Sequence, residues 1–321
     1  MERGNVRYHT SRRQESCSGD GMAKFRIYNV QLLPNDEVTR EVGYRGYRRL
    51  MDNLRKVTAR HFRSKSLLEF HHQIRTDLFL GPYDIYIHDD FAYGDFIRYT
   101  RSDNVSDLYT NRRLYRASAS ATGISNDKRI PFVFDYRSHR LAIDQGSGLL
   151  TSPKDFIHTL ERFFQPIATA LYPNHTLTVS LVAQISALEQ VFSRAVAYST
   201  VDLKLTFPNG HDSEAMMREL RETRTQHLEL RASAGRGGKM PSLPEFVKDL
   251  LRGAMTLGQA QMTFFAPKKI GNQTVTRLEH FSSEDIPLTF ATRHTEGESD
   301  EDFARRSVER LRAVDDSEDI E

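Results

Sequence analysis

Residues 130–145 read IPFVFDYRSHRLAIDQ. Phe132, Phe134 and Tyr136 alternate with Val133 and Asp135, and Leu141 and Ile143 resume the alternation after Arg137-Ser138-His139. A period of two broken by a short polar segment predicts strand, turn, strand. The same stretch holds Asp135, Ser138, His139 and Asp144, the residue types of a hydrolytic triad. A triad needs side chains that converge on one point. Ser138 and His139 are neighbours at a turn tip and diverge, and no G-x-S-x-G elbow surrounds them. The stretch is therefore expected to be a β-hairpin with a polar tip.

Upstream, Met22 opens MAKFRIYNVQLLP, an expected first strand and a candidate natural start. Residues 1–21 have no apolar period and are expected to be a disordered extension. Residues 43–65 carry Tyr47, Leu50, Met51, Leu54, Val57 and Phe62 at helical spacing. Residues 67–100 change to alternation and predict antiparallel strands. Residues 101–129 are polar and basic and predict a long connection or a domain boundary.

Downstream, Ser152, Pro153 and Asp155 predict a capped helix that Pro166 kinks or splits. Strands are expected at LTVSLVAQ, VDLKLTFP, LELRAS, QAQMTFFAPKK, QTVTRLEHF and IPLTFAT. Ser186 with Glu189, and Ser242 with Glu245, predict capping boxes. Asp212 is expected to cap a further helix, and Ser299 the last one. The whole predicts an α+β fold of mixed or antiparallel sheets with packed helices. The expected division is a basic domain at 22–120, an α+β core domain at 121–295, and an acidic helix and tail at 296–321.

The composition is that of a soluble globular chain, with 38% hydrophobic and 27% charged residues among 321. No apolar run approaches a membrane span, and the Arg-rich N-terminus lacks a secretory signal core. One cysteine, Cys17, excludes an intrachain disulfide and fits a reducing, cytoplasmic setting. The net charge of +2 hides a strong polarity. Residues 40–65 hold nine Arg/Lys against Glu41 and Asp52, whereas residues 296–321 hold eleven Asp/Glu against four Arg.

Arg45, Arg48, Arg49, Arg55, Lys56, Arg60 and Arg63 make the helix at 43–65 the foremost candidate interface. Like charges at this spacing repel, and the planar guanidinium fork suits phosphate. The alternative is a solvated face covered by the acidic tail. Arg112 and Arg113, with Arg116, add a second basic segment. The loop SAGRGGKMPSLPEF (233–246) brings Arg236 and Lys239 to a helix start, as phosphate-contacting loops do. It is no Walker A loop, because Ser233 replaces the first glycine and Met240 follows Lys239.

Asp202 and Lys204, two apart on one strand, resemble the D-x-K pair of metal-dependent nucleases. Asp135 or Asp144 could supply a second carboxylate for Mg²⁺. Ordinary solvated strand residues give the same pattern. His71 and His72 point to opposite strand faces, so a metal site would have to pair His72 with His88 or Asp90 across strands.

The order of FVFDYRSHRLAID, SPKDFIHTLERFF, LTVSLVA, ALEQVFSRAVA and VDLKLTFPNG resembles a bacterial domain family of unknown function. More distantly it resembles RexA-type phage-exclusion proteins of lambdoid prophages. The likeness covers about residues 24–290 in element order and departs at 1–21, 101–129 and the acidic tail. It implies a small N-terminal domain before a larger α+β domain, DNA binding, and a membrane partner. It carries no catalytic residue onto any position here.

These readings give three expectations. The first is a non-catalytic, cofactor-free DNA-binding protein of phage defence that touches phosphates with little sequence reading. A homodimer and a partner protein encoded nearby are compatible with it, and direct membrane insertion is not expected. The second is a Mg²⁺-dependent nuclease using Asp202 and Lys204. The third is a protein–protein adaptor acting through the acidic tail.

Overall fold

The computed structural model describes residues 22–318 apart from Glu37, 119–120, 147–151, 207–226, 236–237 and Asn272. Residues 1–21, the helix expected after Asp212, Arg236 and residues 319–321 lie outside the described residues.

The chain runs β1 (Met22–Pro34), α1 (Tyr44–Arg63), α2 (Leu67–Phe70), β2 (His72–Arg75), β3 (Leu78–Ile87) and β4 (Phe91–Arg101). A short ribbon follows, β5 (Asn104–Ser106) and β6 (Arg113–Arg116). Next come β7 (Ile124–Asp135), β8 (Arg140–Asp144), α3 (Pro153–Leu171), β9 (His175–Leu181), α4 (Ile185–Arg194) and β10 (Ala197–Thr206). The last elements are β11 (His227–Ser233), α5 (Glu245–Leu257), β12 (Gly258–Ile270), β13 (Gln273–Ser282), β14 (Thr289–Arg293) and α6 (Asp300–Glu318). The fold is α+β, as the element pattern predicts, and every strand pairing among the described residues is antiparallel.

The hairpin of β7 and β8 lies inside a curled sheet of order β14-β1-β8-β7-β4-β3-β2. β1 holds this sheet together. It pairs with β14 near its start, with β8 from Phe25 to Asn29, and with β9 from Tyr28 to Pro34. β4 and β7 pair from Phe91↔Asp135 to Arg101↔Ile124. Strands on either side of residue 120 therefore share one sheet. A second sheet, β11-β10-β12-β13, carries its own core.

Alternation assigns the two faces of the first sheet. Tyr28, Val30 and Leu32 of β1 and Phe132 and Phe134 of β7 pack with Tyr47, Leu50, Met51 and Leu54 of α1 and Phe156, Leu160 and Phe163 of α3. Phe25, Ile27, Val133 and Ala142 face the other way, onto Phe303, Ala304, Val308 and Leu311 of α6. Each fully buried aliphatic or aromatic side chain contributes roughly 1.5–3 kcal/mol. Both faces of the central strands are thus covered, α1 and α3 on one side and the acidic helix on the other.

Several local expectations change. Residues 67–70 form a helical turn rather than strand, and β3 runs unbroken through Gly81-Pro82. Ser152 Oγ accepts from the Asp155 amide at 3.2 Å, as a cap should, but Pro166 does not split α3. Neither expected capping box forms. α4 starts after Gln184 and α5 after Pro244, and no side chain caps either helix. Glu189 instead holds Arg252 at 2.7 Å, and Glu245 holds Lys248 at 2.9 Å. Ser186 falls inside α4 and Ser242 lies two residues before the N-cap of α5, so neither serine stands at the cap position.

Gly94 of β4 lies where the β3 register slips between Pro82 and Asp84. A Cβ there would lie 1.9 Å from the Asp84 carbonyl oxygen. Backbone cannot yield as a side chain can, so Gly94→Ala is expected to cost about 2 kcal/mol. A urea midpoint equal to wild type would refute this.

Candidate nucleic-acid interface

α1 buries Tyr47, Leu50, Met51, Leu54 and Thr58, an apolar stripe of helical period. At 100° per residue, Arg45, Arg49, Lys56, Arg60 and Arg63 fall within about 60° of one another on the opposite side. All five are exposed. At 1.5 Å per residue the stripe is about 27 Å long. Arg45 lies in the first turn, where the helix dipole disfavours a cation. Its placement does not serve helix stability.

Internal neutralisation is partial. Asp52, the one acid on this helix, holds Arg55 at 2.6 Å and Lys56 at 2.7 Å. Burial raises the Asp52 pKa, but the Lys56 and Arg55 hydrogen bonds outweigh it and hold the carboxyl below its ordinary value. Arg48 donates to the His88 carbonyl at 3.1 Å and pairs with Asp89 at 3.2 Å. Arg45 meets the Tyr44 hydroxyl at 3.1 Å, and Arg63 the Ala59 carbonyl at 3.2 Å. Among the described residues, Arg45, Arg49, Arg60 and Arg63 have no carboxylate partner.

The described acids of α6 and of the segment before it lie elsewhere. Glu298 holds Arg306 at 2.6 Å, and Glu301 meets Arg305 at 3.3 Å and His88 at 3.7 Å. Arg312 reaches Asp90 at 3.1 Å and Asp135 at 2.6 Å. The described side chains of the helix pack on the face of the sheet away from α1, and none of these described acids meets the stripe.

Residues 101–129, expected as a long connection or a domain boundary, include the ribbon β5–β6 and the start of β7. Arg112, Arg113 and Arg116 are exposed on the ribbon. So are Leu108 and Tyr109 at its tip, 85% and 92% accessible, and Leu114 and Tyr115. Asp107 Oδ1 closes the tip by accepting from the Thr110 amide at 2.7 Å. Lys239 lies in the segment between β11 and α5, with its ammonium 4.1 Å from the centre of the Phe265 ring of β12. Sequence reading missed Tyr109 and Tyr115, because strands of three and four residues are too short to show a period.

Asp202 and Lys204 face away from the core that Val201, Leu203 and Leu205 enter. Arg231 meets Asp202 at 3.4 Å, and Glu229 meets Lys204 at 2.8 Å, each directly across from β11. Neither suggested second carboxylate joins them. Asp144 accepts from the Lys24 and Gly146 amides, and Asp135 is buried against Arg312. Among the described residues no three His, Cys, Asp or Glu side chains group so as to hold a metal ion.

At the hairpin tip, Ser138 Oγ donates to Asp135 at 2.8 Å rather than to His139. The His139 ring stacks on Tyr47 at 4.0 Å. His72 bonds Thr159 at 2.8 Å, not His88 or Asp90. His71 is buried between Tyr99 and the Pro82 carbonyl. Burial holds both His71 and His139 down at about 4. A histidine kept neutral in the fold but protonated when unfolded stabilises above about 6.5 and loses that contribution as pH falls towards 4. The urea midpoint should therefore drop between pH 7 and 5. His139→Asn, suited to the positive φ of 60° at this position, should flatten that drop. An unchanged slope in the variant would refute the assignment.

Residues 23–310 match a family described as a domain of unknown function, DUF4747. The chain belongs to the DUF4747 family. The match spans both sheets of this DUF4747 chain and most of α6. No curated protein matches it.

Proposed function

We propose that this DUF4747 chain binds nucleic acid, foremost double-stranded DNA, through the phosphate backbone and without catalysis. The array of exposed cations along α1 carries the reading. Among the described residues four of its guanidiniums have no carboxylate partner, and the described part of the acidic helix packs on the opposite sheet face. Duplex DNA presents a charge every ~1.7 Å, so a 27 Å stripe matches many phosphates. The ribbon supplies three further arginines beside exposed tyrosines. Both segments can position a duplex without reading bases.

The phage-defence setting is part of this proposal and rests on the RexA-like element order. No described helix is long and apolar enough to cross a membrane, so a membrane role would run through a separate partner. The nuclease alternative has less support, since Asp202 and Lys204 are each engaged by a neighbouring strand.

Retention of duplex DNA, single-stranded DNA and RNA, with and without Mg²⁺, tests the reading. Binding should be strong near about 50 mM salt, with log affinity falling linearly in log salt at a slope of roughly −0.9 per phosphate contact. Absence of retention at that salt defeats the proposal. Mg²⁺-dependent cutting that Asp202→Ala abolishes would transfer the function to the nuclease reading.

A further inference from the structure

The ribbon β5–β6 leaves the sheet at the end of β4 and carries apolar side chains that the described residues leave exposed. Leu108 and Tyr109 at its tip are 85% and 92% accessible, and Val105, Leu114 and Tyr115 are exposed beside them. Protein surfaces normally scatter such side chains singly. Here they cluster between Val105 and Tyr115, on one projecting arm.

The arm is held in shape by its own hydrogen bonds. Asp107 Oδ1 accepts from the Tyr109 amide at 3.2 Å and the Thr110 amide at 2.7 Å, and the Asp107 amide donates to the Arg112 carbonyl at 2.8 Å. At the root, the Ala117 amide donates to the Asp103 carbonyl at 2.8 Å, and the Ser102 amide to the Gly123 carbonyl at 2.9 Å. A Cβ at Gly123 would lie 2.3 Å from the Ser102 carbonyl oxygen, so glycine permits this close approach. The apolar tip is thus preformed, and little ordering entropy is lost when a partner covers it.

Charge selects the partner. Arg112, Arg113 and Arg116 are exposed among the apolar side chains, and the Asp107 carboxylate is turned into the tip's own amides. An apolar protein groove would leave these guanidiniums buried and unpaired, at high cost. Duplex DNA accepts both sets, cations on phosphates and apolar groups on bases. From Asp103 to Leu108, strand geometry carries the tip about 16 Å from the root, beyond the roughly 8 Å depth of either groove. The ribbon also lies near the basic stripe. The Phe62 ring of α1 meets the Tyr83 ring at 5.7 Å, and β3 runs back from there to Leu78, opposite Thr100 of β4. Those five residues of strand span about 17 Å, less than one helical turn of DNA at roughly 34 Å.

We propose that the ribbon is a wedge. Leu108 and Tyr109 insert between base steps of a duplex held by the arginines, unstacking and bending it. This rests on the nucleic-acid reading above and adds a substrate class, duplex DNA with a mismatched or weakly stacked step. Such a step has already lost the stacking that the wedge must otherwise break.

The test measures affinity of the full chain for a perfect duplex and for one with a central mismatch, each carrying an energy-transfer dye pair at its ends. The mismatched duplex is expected to bind about tenfold tighter, and transfer should rise on binding as the ends approach. Leu108→Ser combined with Tyr109→Ser, at positions too exposed to disturb the fold, should abolish the preference and the bend. The salt slope should stay, since no cation is lost. Leu108→Met, which keeps an apolar wedge, should retain both effects. Binding that lacks the preference or the bend overturns the wedge and leaves the phosphate reading standing. So does a preference or bend that survives the double serine variant. Retention of neither duplex, even at low salt, removes both.

Discussion

Replacing Arg45, Arg49, Arg60 and Arg63 together by alanine is expected to weaken duplex binding on the order of a hundredfold near physiological salt. It should also lower the salt slope by about three to four, roughly 0.9 for each lost phosphate contact. The variant isolates function from folding. None of the four side chains pairs with a carboxylate among the described residues, and all four are exposed. Alanine is the best helix former, and removing like charges at i,i+4 and i,i+3 relieves repulsion of about 0.2–0.5 kcal/mol per pair. Stability should hold or rise slightly. A matched change at Lys268 and Lys269, exposed on β12, is expected to leave affinity near wild type. Equal loss from both sets would mean diffuse electrostatics, not an interface at α1.

The largest stability effect is expected from Asp135→Ala, at about 3 kcal/mol. Asp135 is 1% exposed and sits at the end of β7. One carboxylate oxygen accepts from Arg312 at 2.6 Å, the other from Ser138 Oγ at 2.8 Å and the Ser138 amide at 3.2 Å. The change loosens the hairpin tip and the anchor of α6 together. Breaking a fully buried pair costs about 3–5 kcal/mol. Arg312 is about a third exposed and keeps Asp90, which puts this case at the lower end. Burial alone would raise the Asp135 pKa. The hydrogen bonds from Arg312 and Ser138 outweigh it and hold the carboxyl below 3.8. A depressed carboxyl stabilises above its unfolded value and loses that contribution as pH falls through the folded one. Asp135→Asn should therefore show a shallower stability loss below about pH 3.8. A wild-type denaturation midpoint in Asp135→Ala would refute the anchor role.

Much of the fold was legible because burial writes a period into the chain. Phe132, Phe134, Leu141 and Ile143 alternate because one sheet face is covered by α1 and α3. Tyr47, Leu50 and Leu54 recur at helical spacing because the same face needs them. The cation stripe of α1 was visible by the same logic, read on the wheel's other side. The capping boxes failed because α4 starts at Ile185, before Ser186, and α5 at Glu245, three residues after Ser242, boundaries that local spacing did not show. The ribbon left no periodic trace.

The amino-acid sequence by itself determined the identity and faces of most strands and helices, the hairpin at 130–145 and the opposed charges of α1 and the C-terminal segment. Only the tertiary structure decided which strands pair, that β1 joins β8, β9 and β14, and that the acidic helix lies across the sheet from the basic one. Side-chain period reports how each residue meets its own layer, a local property. Strand partners and ion pairs between distant segments depend on contacts more than a hundred residues apart in the chain, which no local pattern encodes.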